Sequence, residues 1–161
     1  MKLEKVYLTK ENLLKIEKLD DLYYTDAITG IDWYLQRYNE HHNAYFLIND
    51  KSNVVGYILS VPIKKELYDA ITSGVIVNDL YVNPKMYIDE STYHYIYSCV
   101  ITKEYRHQKY GTMLMEKLLD DLKGNICCLT ISKDGYKLAN KYMDLKEIIN
   151  ESVSVFIKNN N

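Results

Sequence analysis

The sequence contains little cysteine, proline or glycine, with three Cys, two Pro and six Gly in 161 residues. This composition excludes a disulfide-rich scaffold, a collagen-like chain and a Pro- or Gly-rich disordered chain. Cys99, Cys127 and Cys128 form no CxxC pair, and they lie in apolar, strand-like runs. We therefore predict buried free thiols rather than metal ligands at these three positions.

Long apolar runs and a strong net charge are also absent. No run of about 18 apolar residues occurs, and residues 1–11 alternate charged with apolar side chains, unlike a signal peptide. We expect a cytoplasmic protein that does not enter a membrane. The formal net charge is -2, so no global basic field attracts nucleic acid or an anionic membrane surface.

What is present is an ordinary globular composition, 47% hydrophobic and 26% charged. The length suits one domain, which we place at residues 1–158, followed by a disordered Asn-rich tail at 159–161. Tyrosine occurs 17 times against two Phe and one Trp, without a fixed period. We interpret this excess as composition bias rather than as a base-stacking surface.

Apolar spacing predicts the order strand, two helices, three strands, helix, strand, helix, two strands, with a further short helix before the fourth strand. The stretch Asn49–Asn53 has the composition of a hairpin turn. The fourth strand is apolar on both faces and should be central. We expect strands at 5–8, 45–48, 54–61, 93–101, 126–131, 145–149 and 153–157, and helices at 12–19, 26–38 (capped by Asp26), 64–72, 108–123 and 134–143.

The segment 98–115 is the most informative about chemistry. It joins a buried strand to a long amphipathic helix, so N–H groups at the helix start should face the space beyond the carboxyl end of the strand. Arg106, His107 and Lys109 crowd that helix start, where the helix dipole makes each cation unfavourable by about 0.3–1 kcal/mol. No acidic residue occurs from 105 to 115. Bound phosphates would reverse the penalty, and we predict a phosphate site here.

The same segment carries a family resemblance. Gly111 inside a helix costs about 1 kcal/mol unless something must approach the backbone closely. The run Arg106-His-Gln-Lys-Tyr-Gly111 resembles the Q/R-x-x-G-x-G/A motif of the GNAT N-acetyltransferase superfamily, with Lys109 in place of the first glycine. Val54-Val-Gly-Tyr57 looks like the third strand of that family, and the element order matches from the first strand to the last.

The resemblance implies an α/β (α+β) fold, with a central mixed, mostly antiparallel sheet of six to seven strands flanked by about four helices. It also implies acetyl-CoA as the acyl donor, no metal, and direct attack by a primary amine. Backbone groups at the end of the fourth strand would bond the pantetheine arm, and the following loop would hold the diphosphate. The implied cofactor-binding residues are Cys99, Val100, Ile101, Arg106, His107, Gln108, Lys109, Tyr110, Gly111 and Thr112.

Catalytic residues are less sharply indicated. In many family members a tyrosine on the helix after the fifth strand is near the departing sulfur, and Tyr136 and Tyr142 lie in the corresponding stretch, although strict counting back from Asp144 reaches Asn140. We favour Tyr142 as general acid, against the alternative of a packed aromatic residue. No spacing selects a general base among Asp32, Glu40, Glu66, Asp69, Asp79, Asp89 and Glu90.

Other functions stay open at this point. A catalytically silent acyl-CoA-binding module and a general nucleotide-binding domain are the alternatives, although no GxxxxGK[ST] or GxGxxG motif supports the second. Adjacent His41 and His42 point apart and favour no metal site. The acceptor, whether a small molecule or a protein amine, is not indicated, and a homodimer is left open.

Overall fold

A computed structural model describes residues 1–24 and 30–161. These described residues form seven strands and five α-helices. Three short 3₁₀ turns cover Asp79–Tyr81, Pro84–Met86 and Lys103–Tyr105. The elements are β1 (Lys2–Tyr7), α1 (Lys10–Asp20), α2 (Ile31–Leu35), β2 (Asn43–Ile48), β3 (Val54–Pro62), α3 (Lys65–Thr72), β4 (Tyr93–Ile101), α4 (Tyr110–Asp121), β5 (Gly124–Thr130), α5 (Lys133–Tyr142), β6 (Asp144–Ile148) and β7 (Ser154–Asn160).

The strands form one mixed sheet in the order β1-β2-β3-β4-β5-β7-β6. The pairs β1–β2, β2–β3, β5–β7 and β6–β7 are antiparallel, and β4–β5 is parallel. The predicted fold class, a mixed and mostly antiparallel α/β sheet, is confirmed. Among the described residues, no helix is both long and apolar enough to cross a bilayer.

The chain divides into two compact units. The first comprises Met1–Ser60 and Ser98–Leu118, and the second comprises Val61–Tyr97 and Leu119–Asn161. The first unit therefore contains β1, α1, α2, β2, most of β3, the last residues of β4 and most of α4. The second contains α3, the first part of β4, and β5, α5, β6 and β7. That all residues 1–158 act as one domain stays a prediction.

In the first unit, the predicted hairpin is confirmed. The Asn49 side chain accepts the N–H groups of Lys51 and Asn53, each at 3.0 Å, and the Asn49 N–H bonds the Asn53 carbonyl at 3.0 Å. Ser52 has a φ of 62°, which completes the reversal. Asparagine suits this position because its side chain imitates a backbone turn.

The helix expected at 26–38 differs from the structure. Here α2 begins at Ile31 after Gly30, whose φ of -81° and ψ of 173° are extended, and it ends at Leu35. Apolar residues continue to Tyr38 because Tyr34 and Tyr38 are both core residues, each 1% exposed. The apolar spacing that predicted a helix as far as Tyr38 therefore reflects burial and not the length of the helix. The predicted cap Asp26 lies outside the described residues.

In the second unit, the expected disordered tail is corrected. The strand β7 continues to Asn160, and Asn159 and Asn160 pair with Asn125 and Gly124. The Asn160 side chain also donates to the Leu119 carbonyl. Asparagine has low strand propensity, but an available ladder partner outweighs that preference.

Other boundaries in the second unit follow the sequence closely. Gly74, with a φ of 74°, terminates α3 as expected. Gly124 begins β5 with a φ of 95°, and any side chain there would collide with the Thr92 carbonyl. Cys127 and Cys128 of this unit are buried free thiols, and Cys99 of the first unit is a half-buried free thiol, which confirms the prediction of unpaired cysteines.

Gly56 allows a close approach of β3 to β4 inside the first unit. A Cβ at this position would lie 2.7 Å from Ile101 Cδ1 and 2.8 Å from the Val100 carbonyl oxygen. The Val55 carbonyl, next to Gly56 in β3, also accepts the Thr102 N–H at 2.8 Å. The glycine thereby fixes where the end of β4 lies.

We expect Gly56→Ala to lower the free energy of unfolding by about 1–3 kcal/mol, because the backbone of β4 must shift to admit the methyl group. The control is Gly30→Ala, since a Cβ at Gly30 meets nothing within 4 Å, and we expect a change below about 1 kcal/mol. Urea unfolding of both variants measures the difference. Equal losses at the two glycines would contradict the close approach.

Candidate functional site

The segment singled out by the sequence begins on the last residues of β4, in the first unit. Ser98 and Val100 are buried, while Cys99 and Ile101 are half-buried, as alternation along a strand requires. The Thr102 N–H donates to β3 at the Val55 carbonyl. The strand end is therefore fixed from one side by β3.

A compact loop follows the strand. The Tyr105 N–H closes a 3₁₀ turn on the Thr102 carbonyl at 2.9 Å, and the Gln108 side-chain amide donates to the Glu104 carbonyl at 3.1 Å. His107 and Lys109 then adopt left-handed backbone angles, with φ of 61° and 66°. Such angles are uncommon for residues with a side chain. They turn the chain sharply before α4.

The helix α4 begins at Tyr110, two residues later than predicted, because left-handed Lys109 cannot belong to a right-handed helix. The Met113 N–H donates to the Lys109 carbonyl at 3.0 Å, which closes the first turn. The N–H groups of Tyr110, Gly111 and Thr112 lie ahead of that bond, where helix starts present donors to ligands.

The side chains around the start of α4 would attract an anion. Arg106 is half-buried, whereas His107 and Lys109 are exposed. No acidic residue lies in the first turn of α4. Positive side chains and the positive end of the helix dipole favour negative charge at the same place. The arrangement suits a phosphate or diphosphate.

Arg106 is held by two contacts that the sequence did not reveal. Its Nε–H donates to the Ile101 carbonyl at 2.9 Å, and its guanidinium lies 4.5 Å from the centroid of the Tyr23 ring. The Tyr23 hydroxyl also accepts the Lys103 N–H at 3.0 Å. Tyr23 follows α1, so the segment after that helix holds the loop through these two contacts. In a sequence with 17 tyrosines, nothing marked this one.

A buried polar network lies beside β4 in the same unit. Asp20, 3% exposed, accepts the hydroxyl protons of Tyr34 at 2.6 Å and Tyr57 at 2.5 Å. The hydroxyl oxygens of Tyr24 and Ser98 are 3.3 Å apart. Burial, together with the charge of Asp20, raises the pKa of the Tyr57 hydroxyl well above its usual value.

Sequence reasoning missed Asp20, although a signal existed. Leu13, Ile16 and Asp20 recur at helical spacing on the apolar face of α1, and all are buried. A carboxylate on such a face needs partners, because an unpaired buried charge is strongly unfavourable. That position was the place to expect a functional or network residue.

The carboxylates suggested as general bases are mostly solvent-facing. Asp69 pairs with Lys65 at 2.5 Å on the exposed face of α3, and Asp79 accepts the Tyr95 hydroxyl at 2.8 Å. The exposed ones are Asp32, Glu40, Glu66, Asp69, Asp89 and Glu90. None of these contacts distinguishes one of them as a base.

The candidate acid lies in the second unit. Tyr142 is the last residue of α5 and is half-buried, and its carbonyl accepts Lys158 Nζ at 3.1 Å. Lys141 Nζ lies 4.9 Å from the centroid of the Tyr142 ring. Tyr136 packs edge-on against Phe156 at 5.2 Å, as a structural aromatic does. An acid role for Tyr142 stays a prediction.

Nucleophilic cysteine chemistry is disfavoured at the strand end. Burial raises the pKa of the Cys99 thiol to about 12, so very little thiolate exists near neutral pH.

His42 is buried, with its Nδ1 accepting the Asn39 N–H at 3.3 Å, whereas neighbouring His41 is exposed. Within residues 1–24 and 30–161, no group of three His, Cys, Asp or Glu side chains is arranged to hold a metal.

Comparison with known proteins places this geometry in a family. The model of the Acetyltransferase (GNAT) family matches residues 12–137. The chain therefore belongs to the GNAT acetyltransferase family. No curated protein sequence matches the chain significantly.

Solved structures share the fold at low identity. The loading GNATL domain of CurA from Lyngbya majuscula is 14% identical with a TM-score of 0.68, over 99% of this chain and 98% of that one. The GphF GNAT-like decarboxylase in complex with isobutyryl-CoA is 10% identical with a TM-score of 0.72, over 98% and 100%. Arabidopsis thaliana NAA60 in complex with acetyl-CoA is 10% identical with a TM-score of 0.64, over 98% of each chain.

The departure from the family motif can now be explained. Lys109 occupies the position of the first motif glycine, and this position has a φ of 66°. Glycine adopts that angle without steric penalty, whereas other residues lose about 1–2 kcal/mol. The structure accommodates lysine here at that expense, and it adds a cation beside the helix start.

We expect Lys109→Gly to be more stable than Lys109→Ala by about 1 kcal/mol, because only the alanine variant keeps a Cβ at a left-handed angle. Met113, which is exposed and inside α4, is the control. There the alanine variant should be more stable than the glycine variant by about 1 kcal/mol. Urea unfolding provides both differences. The same order at both positions would rule out the left-handed angle.

We expect Tyr23→Phe to speed hydrogen exchange at the Lys103 amide and to cost about 0.5–1.5 kcal/mol, because the acceptor hydroxyl is lost while the ring stays. Tyr23→Ala should in addition release Arg106 and cost about 0.5–1 kcal/mol more. Exchange measured by NMR tests this. Tyr7→Phe, at a 66% exposed position, should change neither the exchange of the Lys103 amide nor the free energy of unfolding. Unaltered exchange in the Tyr23 variants would refute the contact between Tyr23 and the loop.

Proposed function

We propose that the protein transfers an acetyl group from acetyl-CoA to a primary amine by direct attack in a ternary complex. The observation that carries this proposal is the loop 102–109. Its two left-handed residues place the first-turn amides of α4 beside Arg106 and Lys109, with no acid in that turn. Membership of the GNAT family supplies the reaction class.

The residues of the loop fit a diphosphate. The amides of Tyr110, Gly111 and Thr112 provide donors at the positive end of the helix dipole. Lys109 and His107 are exposed, and Gln108 lies between them. Arg106 uses its Nε–H on Ile101, and a guanidinium has four further N–H donors for phosphate oxygens. The chemistry of this donor set is that of an anion site.

The pantetheine arm would lie along the end of β4, where Cys99, Val100 and Ile101 were predicted to contribute backbone groups. The Ile101 carbonyl already accepts the Arg106 Nε–H, which uses one of its two lone pairs. A nearby N–H would stabilise the oxyanion that develops during acyl transfer.

The acetyl thioester supplies an activated acyl group, and the protein must handle protons. An amine with a pKa near 10 is neutral in only about one molecule in a thousand at pH 7. A group that accepts its proton is therefore needed, and another must protonate the thiolate. We propose Tyr142 for the second role.

The structural neighbours support coenzyme A binding more than they support one reaction. One is described in complex with acetyl-CoA, and another is a GNAT-like decarboxylase in complex with isobutyryl-CoA. Binding and transfer therefore need separate measurements. We also propose that the protein acts in the cytoplasm.

We expect Gly111→Leu to weaken coenzyme A binding at least about tenfold, equivalent to about 1.4 kcal/mol, because a bulky side chain blocks approach to the helix start. Titration calorimetry measures the affinity, and circular dichroism checks the fold. Met113→Leu, which places leucine at an exposed position of the same helix, is the matched control. Equal affinity in the Gly111 variant and wild type would count against this site.

We expect wild-type protein to release free coenzyme A thiol from acetyl-CoA only when an accepted amine is present. The panel contains a peptide with a free α-amine, a lysine peptide, spermidine and tyramine, with mass spectrometry of the products. Binding of acetyl-CoA without release for any amine would instead favour a silent acyl-CoA-binding module. Preference for ATP over coenzyme A would overturn both functions.

A further inference from the structure

The hairpin between β2 and β3 reaches the loop 102–109 through one asparagine. The Asn49 side-chain Nδ2 donates to the Tyr105 hydroxyl at 3.1 Å, although the two residues are 56 positions apart in the sequence. Both belong to the first unit, and both are half-buried. The hairpin turn therefore contacts the segment in which we place the coenzyme A diphosphate.

The turn itself fixes the orientation of the Asn49 amide. Its Oδ1 accepts the N–H groups of Lys51 and Asn53, each at 3.0 Å. An N–H group can only donate, so these two bonds assign the amide oxygen to the turn and leave Nδ2 for Tyr105. Because the Asn49 side chain is already held by the turn, the contact with Tyr105 costs little further conformational entropy.

Tyr105 connects this contact to the backbone of the loop. Its own N–H closes the 3₁₀ turn on the Thr102 carbonyl at 2.9 Å. The left-handed residues His107 and Lys109 follow shortly after it. Such backbone angles persist only where the surrounding structure holds them. The loop therefore needs contacts from outside to keep one conformation.

The other outside contacts act on different residues of the loop. The Val55 carbonyl of β3 accepts the Thr102 N–H. Tyr23 accepts the Lys103 N–H, and its ring lies against Arg106. Removing the hydroxyl of residue 105 leaves both of these supports in place, so the contribution of the hairpin can be measured separately.

We propose that Asn49 and Tyr105 are positioning residues for coenzyme A, which hold the loop 102–109 in the conformation that binds the diphosphate. This inference rests on the coenzyme A site of the proposed function and not on the transfer step. In this scheme neither side chain touches the ligand. A loop that adopts the binding conformation for only part of the time lowers the apparent affinity by that fraction.

The direct test is Tyr105→Phe, which removes the hydroxyl and keeps the ring. We expect the dissociation constant of coenzyme A to rise about three- to tenfold, a factor that corresponds to the net free energy of one hydrogen bond. Titration calorimetry on the full chain measures this constant, and circular dichroism checks the fold. The matched control is Tyr68→Phe, at a half-buried tyrosine of α3 in the second unit, which should leave the affinity unchanged.

The variant Asn49→Ala separates the two roles of the asparagine. It removes the donor to Tyr105 and also the acceptor of two N–H groups in the turn, so it should lower both the coenzyme A affinity and the free energy of unfolding. Added to Tyr105→Phe, it should lower the free energy of unfolding further but leave the affinity at the value of Tyr105→Phe alone. Non-additivity confined to the affinity is expected when both residues act through one contact.

Hydrogen exchange in the free protein gives a readout without ligand. Tyr105→Phe should speed exchange at the amide of residue 105, which is bonded to Thr102 in the loop. The Asn53 amide is bonded to Asn49 in the turn, and its exchange should stay as slow as in wild type. Asn49→Ala should speed exchange at both amides. Wild-type exchange at residue 105 in the Tyr105 variant would show that the hairpin does not hold the loop.

Kinetics distinguish positioning of the coenzyme from a loss of stability alone. With an amine that wild type acetylates, Tyr105→Phe should raise the KM for acetyl-CoA by the same factor as the dissociation constant of coenzyme A. The KM for the amine and kcat should stay within about twofold, because the lost contact affects binding of the donor and not the transition state alone. A purely structural contact would change neither KM while the protein remains folded.

The outcomes separate the positioning role from the proposed function. If wild type binds coenzyme A and Tyr105→Phe binds it equally well, or if the double variant binds it more weakly than Tyr105→Phe, the positioning role is overturned and the coenzyme A site stands. A wild type that binds no coenzyme A would overturn the proposed function and the positioning role together. Binding without transfer to any amine would overturn acetyl transfer alone. Weaker binding by Tyr105→Phe, with no further loss in the double variant, supports the positioning role.

Discussion

The path of the chain from β4 into α4 depends on the left-handed backbone of His107 and Lys109. Each residue has a side chain, so each such angle costs about 1–2 kcal/mol. Contacts offset this strain: Arg106 bonds the Ile101 carbonyl and stacks on Tyr23, and Gln108 bonds the carbonyl of Glu104. Without this turn, α4 would begin at another residue and its first amides would face elsewhere.

A second feature of the first unit is the use of tyrosine hydroxyls where phenylalanine would be the simpler core residue. Tyr23 accepts a backbone N–H, Tyr34 and Tyr57 donate to Asp20, and Tyr24 bonds Ser98. These bonds join the α1 region, α2, β3 and β4. Buried networks of this kind fix one arrangement because every member needs its partner. These four tyrosines make hydroxyl contacts that phenylalanine could not make.

The sequence predicted the elements well where the signal is local. The hairpin followed from Asn49–Asn53, because its asparagine bonds the turn itself. The helix α4 was expected two residues early, since apolar periodicity carries no information about a left-handed residue at its start. The tail was misjudged because asparagine has low strand propensity, although Asn159 and Asn160 find partners on β5. Asp20 differs from the carboxylates suggested as general bases because it lies on the apolar face of α1, where its burial depends on partners from other elements.

By itself, the sequence determined the order of strands and helices, the family motif with its lysine substitution, and the lack of acid beside the start of α4. Those properties are written in the spacing and charge of neighbouring residues. Only the tertiary structure decided the backbone angle of Lys109, the clasp of Tyr23 on the loop, and the meeting of Asp20 with Tyr57 and of Tyr24 with Ser98. These contacts join residues far apart in the chain, and packing rather than local preference brings them together.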